Sequence, residues 1–183
     1  MITIIFEGHA DSVDTQPGIA SGHVDVPLSE EGKRQAHALG ERYRRERIDL
    51  VCCSDLQRSY LTAELAFDDR IPIIRDRRLR ECDYGDWTRR QRIEVAKERE
   101  RRIGVPFPNG ESYQQVAARV RSFLQDLLRD HDGKTVLIIG HRATHDCLEH
   151  LINGVALAAT VVLPREEPAH LYSLDQEHLA RET

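Results

Sequence analysis

Two histidines stand just past apolar runs: His9 follows Ile2-Thr3-Ile4-Ile5-Phe6-Glu7-Gly8, and His141 follows Thr135-Val136-Leu137-Ile138-Ile139-Gly140. Between them come Arg58, directly after Ser54-Asp55-Leu56-Gln57, and the acidic stretch Leu79-Arg80-Glu81-Cys82-Asp83-Tyr84-Gly85-Asp86-Trp87. Two imidazoles, an arginine at a helix start and a loop carboxylate are the parts of a phosphoryl-transfer site that needs no metal. A neutral imidazole attacks phosphorus and cations hold the equatorial oxygens. A carboxylic acid protonates the leaving oxygen and then activates water. An unperturbed histidine pKa of about 6.5 keeps the nucleophile available near neutral pH.

Those residues act together only if the elements carrying them converge. Residues 2–6 have the length and β-branched content of a buried strand, as do Leu50–Cys53, Ile71–Ile74 and Thr135–Ile139. Helices are expected from Ser29, an N-cap followed by Glu30 and Glu31, to about Arg47, and again after Ser54 or Asp55. A third is expected over Glu111–Asp130, where Val116, Val120, Phe123, Leu124, Leu127 and Leu128 form one stripe. Ala143–Asn153 reads as a further helix closed by Gly154, Val161–Leu163 as a strand and Leu171–Leu174 as an edge strand. The charged run Thr88–Arg102, with Arg and Glu interleaved, reads as a solvated helix rather than a nucleic-acid patch. Alternating strands and helices imply a three-layer α/β/α sandwich with a mostly parallel sheet, residues 1–183 forming one domain. Ligands of such sheets bind at the carboxyl ends of the strands, where His9 and His141 fall.

A net charge of −5 gives no global attraction to nucleic acid or to an anionic membrane. The opening residues lack the basic flank and length of a signal peptide or membrane span, which points to a cytoplasmic protein. Cys52, Cys53, Cys82 and Cys147 lack paired zinc-site spacing and read as reduced, buried thiols. His141 and His145 are spaced i, i+4, with Asp146, Glu149 and His150 nearby, but no third ligand stands at matching spacing. No metal ligand and no cofactor is therefore assigned. The edge strand leaves a homodimer open.

Strand-to-His9, GIASGHVDVPLSEEGKRQAHALGERY, CSDLQRSYLTAE, LRECDYGDW, PNGESYQQVAARVRSF and VLIIGHR occur in the order and spacing of a known family. The chain resembles the histidine phosphatase superfamily, also called phosphoglycerate mutase-like. The resemblance implies His9 as phosphoacceptor, Arg58 as a phosphate-binding arginine, Glu81 as proton donor and His141 as the second, phosphate-contacting histidine. It puts Ser21 and Gly22 in a loop that approaches the phosphate, and Ser12 and Thr15 where hydroxyl and amide side chains contact it. The expected activity is hydrolysis of a small phosphorylated metabolite through phosphohistidine, since the chain is short for the mutase branch.

The first motif departs from the family's Arg-His-Gly, reading Glu7-Gly8-His9-Ala10. The missing guanidinium would contribute roughly 1.5–3 kcal/mol. Strand alternation puts Glu7 on the side of His9 if the strand persists that far. A carboxylate about 4 Å from a phosphate charge costs on the order of 4 kcal/mol at an effective dielectric near 20. Arg142, where the family has glycine, is the candidate replacement cation. Two other readings stay open: a divergent enzyme using Glu7, His9 and Glu81 for acid/base chemistry on a non-phosphate substrate, and a catalytically silent ligand-binding module.

Overall fold

The computed structural model describes residues 1–162 and 170–180. Strands β1 (Ile2–Gly8), β2 (Leu50–Cys53), β3 (Ile73–Arg75), β4 (Thr135–Gly140) and β5 (His170–Leu174) form one sheet in the order β3-β2-β4-β1-β5. All neighbours are parallel except β5, which runs antiparallel to β1. Helices α1 (Glu30–Arg42) and α2 (Gln57–Phe67) cover one face; α4 (Tyr113–His131) and α5 (Arg142–Leu151) cover the other. The short helices α3 (Arg92–Glu98) and α6 (Leu157–Val162) complete the second side, and α7 (Gln176–Ala180) ends the described chain. No helix among the described residues is long and apolar enough to cross a membrane.

Strand alternation sorts β1 cleanly. Ile2, Ile4 and Phe6 are buried beneath α4 and α5, while Ile5 packs against the opposite cluster with Leu39, Tyr43 and Phe67. The apolar stripe of α4 is buried throughout, and Ser112 with Gln115 closes its start as a capping box. All four cysteines are free and buried; burial pushes the Cys53 thiol up to about 12.

Several expectations are corrected. Helix α1 stops at Arg42 rather than near Arg47. The segment before Leu163 is α6, not a strand: Leu157, Thr160 and Val161 fall at helical spacing and are buried, and Leu163 itself lies outside the described residues. The N-cap of α2 is Leu56, with no side-chain cap bond. Ser54 bonds His141 instead, and Asp55 holds Arg80 through two bonds of 2.6 Å. The run Thr88–Arg102 is α-helical only over Arg92–Glu98, with a 3-10 turn at Glu100–Arg102, and that α-helix is a wall of the central cavity rather than a fully solvated surface.

Helices α1 and α2 cross so closely that a Cβ on Gly40 would lie 2.1 Å from the Ala66 carbonyl oxygen. Alanine is worth about 1 kcal/mol more than glycine inside a helix, but overpacking costs about 1–3 kcal/mol, and the obstacle here is backbone. Gly40→Ala is therefore expected to lower Tm, by about 2–4 °C per kcal/mol for a chain of this size. A thermal melt at or above the wild-type midpoint would show that the crossing can relax.

Candidate active site

The register of β1 on β4 places Gly8 opposite Gly140, so the following residues, His9 and His141, leave adjacent strands side by side. Their ring centroids are 5.0 Å apart, close to the spacing of paired strands. The backbone N–H of His9 donates to the Gly140 carbonyl at 3.0 Å. Its Nδ1 lies 2.7 Å from the Ala10 carbonyl oxygen, an acceptor, which assigns the proton to Nδ1 and leaves the lone pair on Nε2.

His141 is only 1% exposed. Its Nε2 lies 2.7 Å from Ser54 Oγ, at the end of neighbouring β2, while its buried Nδ1 meets no hydrogen-bond partner among the described residues. Burial, and then the Arg58 cation and His9, hold its pKa well below the ordinary 6.5. His141 is thus a neutral imidazole.

Arg58, in the first turn of α2, is 2% exposed. It donates from Nη1 to the Val24 carbonyl at 3.0 Å and from Nη2 to the Gly22 carbonyl at 2.7 Å. Those bonds tie it to the loop between β1 and α1. Gly22 has φ of +51°, the left-handed region that favours glycine. That loop is also knitted to the segment before α3: Ala20 and the Arg90 carbonyl are bonded at 2.8 Å, as are Arg89 and the Ala20 carbonyl. Ser21 Oγ donates to Asp14 at 2.9 Å, and Arg89 pairs with the same carboxylate at 2.6 Å. Ser12 and Thr15 also face the cavity, with the Ser12 N–H donating to Thr15 Oγ1 at 3.0 Å.

Glu81 sits at the N-terminus of α5, its Oε1 accepting from the Ala143 N–H at 3.2 Å and from the Cys82 N–H at 2.8 Å. The helix dipole favours an anion at that place. The Glu81 carbonyl accepts from Arg119 and from His23 Nε2, both at 2.8 Å, so its backbone is fixed from two sides. Arg142, the first residue of α5, lines the cavity; its Nη2 donates to the Val161 carbonyl at 3.3 Å and its Nε is 3.6 Å from Asp146.

Glu7 does not share the cavity. Because β1 ends at Gly8, alternation does not carry Glu7 and His9 to the same place: Glu7 faces α1 with Ile5. There it accepts from Tyr43 Oη at 2.5 Å and Arg42 at 2.9 Å. The other candidate residues, His9, Glu81, His141, Arg58, Arg142, Ser21, Gly22, Ser12 and Thr15, all border one cavity of about 530 Å³. Sequence reasoning missed Ser54, Arg92 and Arg99. Ser54 carried a usable signal, since it follows β2 directly at the same sheet edge as His9. Arg92 and Arg99 were hidden in a charged run. Both line the cavity, and Arg99 Nε is buried without a hydrogen-bond partner among the described residues. The cavity therefore gathers four guanidinium groups and two imidazoles around Glu81 and Asp11, an arrangement suited to a dianion.

The family profile described as histidine phosphatase superfamily (branch 1) matches residues 4–181. Phosphoserine phosphatase 1 of Hydrogenobacter thermophilus is 32% identical over 167 residues, covering 86% of this chain and 79% of that protein. The adenosylcobalamin/α-ribazole phosphatase of Escherichia coli is 28% identical over 178 residues, covering 92% and 83%. Among solved structures, Bacillus stearothermophilus YhfR superimposes with a TM-score of 0.84 at 25% identity, over 96% of this chain and 93% of that one.

The buried neutral state of His141 has a measurable sign. Below about pH 6.5 the unfolded chain protonates this histidine and the folded chain does not, so the unfolded state binds more protons and stability falls as pH drops. The contribution is at most about 1.4 kcal/mol per pH unit. Denaturant unfolding at pH 7 and pH 5 should show a shallower pH dependence for His141→Asn than for wild type; parallel slopes would contradict the assignment.

Proposed function

The chain belongs to the histidine phosphatase superfamily, branch 1, and is a phosphomonoesterase-type enzyme; on that premise we propose that it hydrolyses a small phosphomonoester bearing a second acidic group, through a phosphohistidine at His9 and without a catalytic metal. The observation that carries this reading is the packing of His9 against His141 at 5.0 Å, with Arg58 and Glu81 on the same cavity.

In the first step His9 Nε2 attacks phosphorus in line with the leaving oxygen, the P–N bond forms as the ester P–O bond breaks, and protonated Glu81 delivers its proton to that oxygen. Arg58 neutralises the equatorial oxygens. Neutral His141 donates from Nδ1 to one of them if Ser54 Oγ donates to its Nε2, a direction favoured by the Leu56 N–H, 3.4 Å from the same Oγ. In the second step water attacks phosphorus, Glu81 takes up its proton, and His9 leaves as the neutral imidazole.

The departures in the first motif are less damaging than the sequence alone implies. Glu7 is neutralised by Arg42 and turned toward α1, so the repulsion of roughly 4 kcal/mol assigned to an inward carboxylate does not arise. The guanidinium absent at Gly8 is supplied in this reading by Arg142, the first residue of α5, just past the strand paired with β1. Arg99 and Arg92, on the α3 wall with Ile93 and Val95, receive the second acidic group and the body of the substrate. The relatives named for phosphoserine and α-ribazole phosphatase activity support a small-metabolite substrate.

Phosphate release should be followed at pH 5–8 without added metal, over phosphomonoesters with and without a carboxylate. Wild type is expected to turn over and to yield an acid-labile phosphoprotein on quenching; His9→Ala should do neither. Arg142→Ala should lower kcat/KM about 10–100-fold, the loss of a charged hydrogen bond of about 1.5–3 kcal/mol. Arg99→Ala should raise KM for the carboxylate-bearing esters selectively. Equal turnover by wild type and His9→Ala refutes the mechanism, and a uniform Arg99→Ala effect refutes the second acidic group.

A further inference from the structure

On α5, outside the lining of the cavity, His145 is 8% exposed and neither of its ring nitrogens meets a hydrogen-bond partner among the described residues. A buried imidazole normally satisfies at least one of its nitrogens. Two carboxylate oxygens flank it, Glu149 Oε1 at 3.8 Å from Nε2 and Asp146 Oδ1 at 3.8 Å from Nδ1, both too far for a hydrogen bond. Strand β5 then brings His170, whose Nδ1 lies 4.0 Å from the same Glu149 oxygen and whose ring centroid is 4.2 Å from that of His145.

One carboxylate oxygen thus faces two imidazoles, and the three ligating atoms all lie within 4.8 Å of one another. The carboxylate is already oriented: Tyr172 Oη donates to Oε1 at 2.7 Å and Asn153 Nδ2 to Oε2 at 3.0 Å. A tetrahedral ion with metal–nitrogen and metal–oxygen bonds of about 2.0–2.2 Å holds its ligands about 3.4 Å apart. The two nitrogen–oxygen separations, 3.8 and 4.0 Å, are within about 0.6 Å of that spacing, and the whole set, spread over no more than 4.8 Å, closes by side-chain rotation.

We propose that His145, Glu149 and His170 form a binding site for a divalent transition metal of the zinc type, tying α5 to β5 and separate from the chemistry at His9. Two imidazoles and one carboxylate suit zinc, cobalt or nickel; magnesium and calcium prefer oxygen ligands alone. Water completes the coordination. Asp146 Oδ1 stands on the opposite nitrogen of His145, 3.8 Å from Nδ1, and a small ring shift on metal binding would let it accept the Nδ1 proton and so direct Nε2 to the metal. None of the three ligands lines the catalytic cavity, but Asp146 also faces Arg142 Nε at 3.6 Å, so the metal would brace the base of a cavity arginine. The sequence could not close this set: His145 and Glu149 are i, i+4 on one helix, whereas the third ligand arrives from a strand that only the fold brings alongside. His150, which the sequence offered instead, holds the Val155 carbonyl at 2.8 Å, and His141 faces the cavity.

The test uses the full chain after dialysis against a chelator, titrated with zinc chloride in competition with a chromophoric chelator. One Zn²⁺ per chain is expected, with Kd on the order of micromolar or tighter, and excess zinc should raise Tm. Magnesium should not compete, and Co²⁺ should give the visible bands of a four-coordinate nitrogen/oxygen site. Because His145 is buried, the deciding variants are His170→Ala and Glu149→Gln, each expected to weaken zinc binding by at least about 10-fold, more than loss of an outer partner of a ligand would, with the metal-free melt of His170→Ala as the control for folding. His9→Ala should bind zinc as wild type does. Absence of stoichiometric binding, or binding that survives His170→Ala and disappears in His9→Ala, overturns the proposal.

Discussion

The parallel backbone pairing of β1 with β4 fixes Gly8 against Gly140, and the next residue of each strand is a histidine. That register brings together two imidazoles separated by more than a hundred residues of sequence. The same sheet edge then recruits the other groups: Ser54, directly after β2, reaches His141, and Arg58 stands in the first turn of α2. A one-residue slip between β1 and β4 would invert the strand's inward and outward sets, burying Ile5 and Glu7 where Phe6 now packs. Core packing and site assembly are therefore enforced by the same constraint.

Electrostatics follows from the positions this edge imposes. Arg58 is almost wholly buried, yet two carbonyl oxygens of the β1–α1 loop bind it. A buried cation without such acceptors would be strongly disfavoured. The loop that satisfies the arginine is consequently ordered by it, and carries Ser21 and Gly22 over the cavity. Glu81 is held differently: the backbone N–H groups of Cys82 and of Ala143 at a helix start bind its carboxylate.

Much of this was legible before the fold. Short β-branched runs ending in Gly-His marked the two histidines, and the stripe on α4 marked the face that covers the sheet. Fold class and sheet direction followed from the alternation of elements. Side-chain direction past the end of a strand was not legible, because alternation is a property of extended backbone and β1 stops at Gly8; Glu7 was misplaced for that reason. Arg99 was missed because a run of mixed charges has the same appearance whether its helix faces solvent or walls a cavity. The sequence reads as a strand where α6 ends because the short apolar run Val161-Val162-Leu163 carries no periodicity long enough to distinguish strand from helix.

The division of labour inside the cavity follows from which elements are rigidly paired. His9, His141 and Ser54 lie at the ends of adjacent central strands, whose backbone bonds leave little freedom, and that rigidity suits an in-line displacement. Arg92 and Ile93 stand on a short helix, with Arg99 just past its end, joined to the β1–α1 loop by only a few backbone bonds. Changes there would alter what enters the cavity while leaving the paired histidines where they are. In the proposed mechanism the shift of a guanidinium from position 8 to position 142 obeys the same logic. Gly8 and Gly140 are neighbours across one ladder, so a cation two residues beyond Gly140, at the start of α5, can approach the same phosphate from beside the adjoining strand without disturbing the nucleophile.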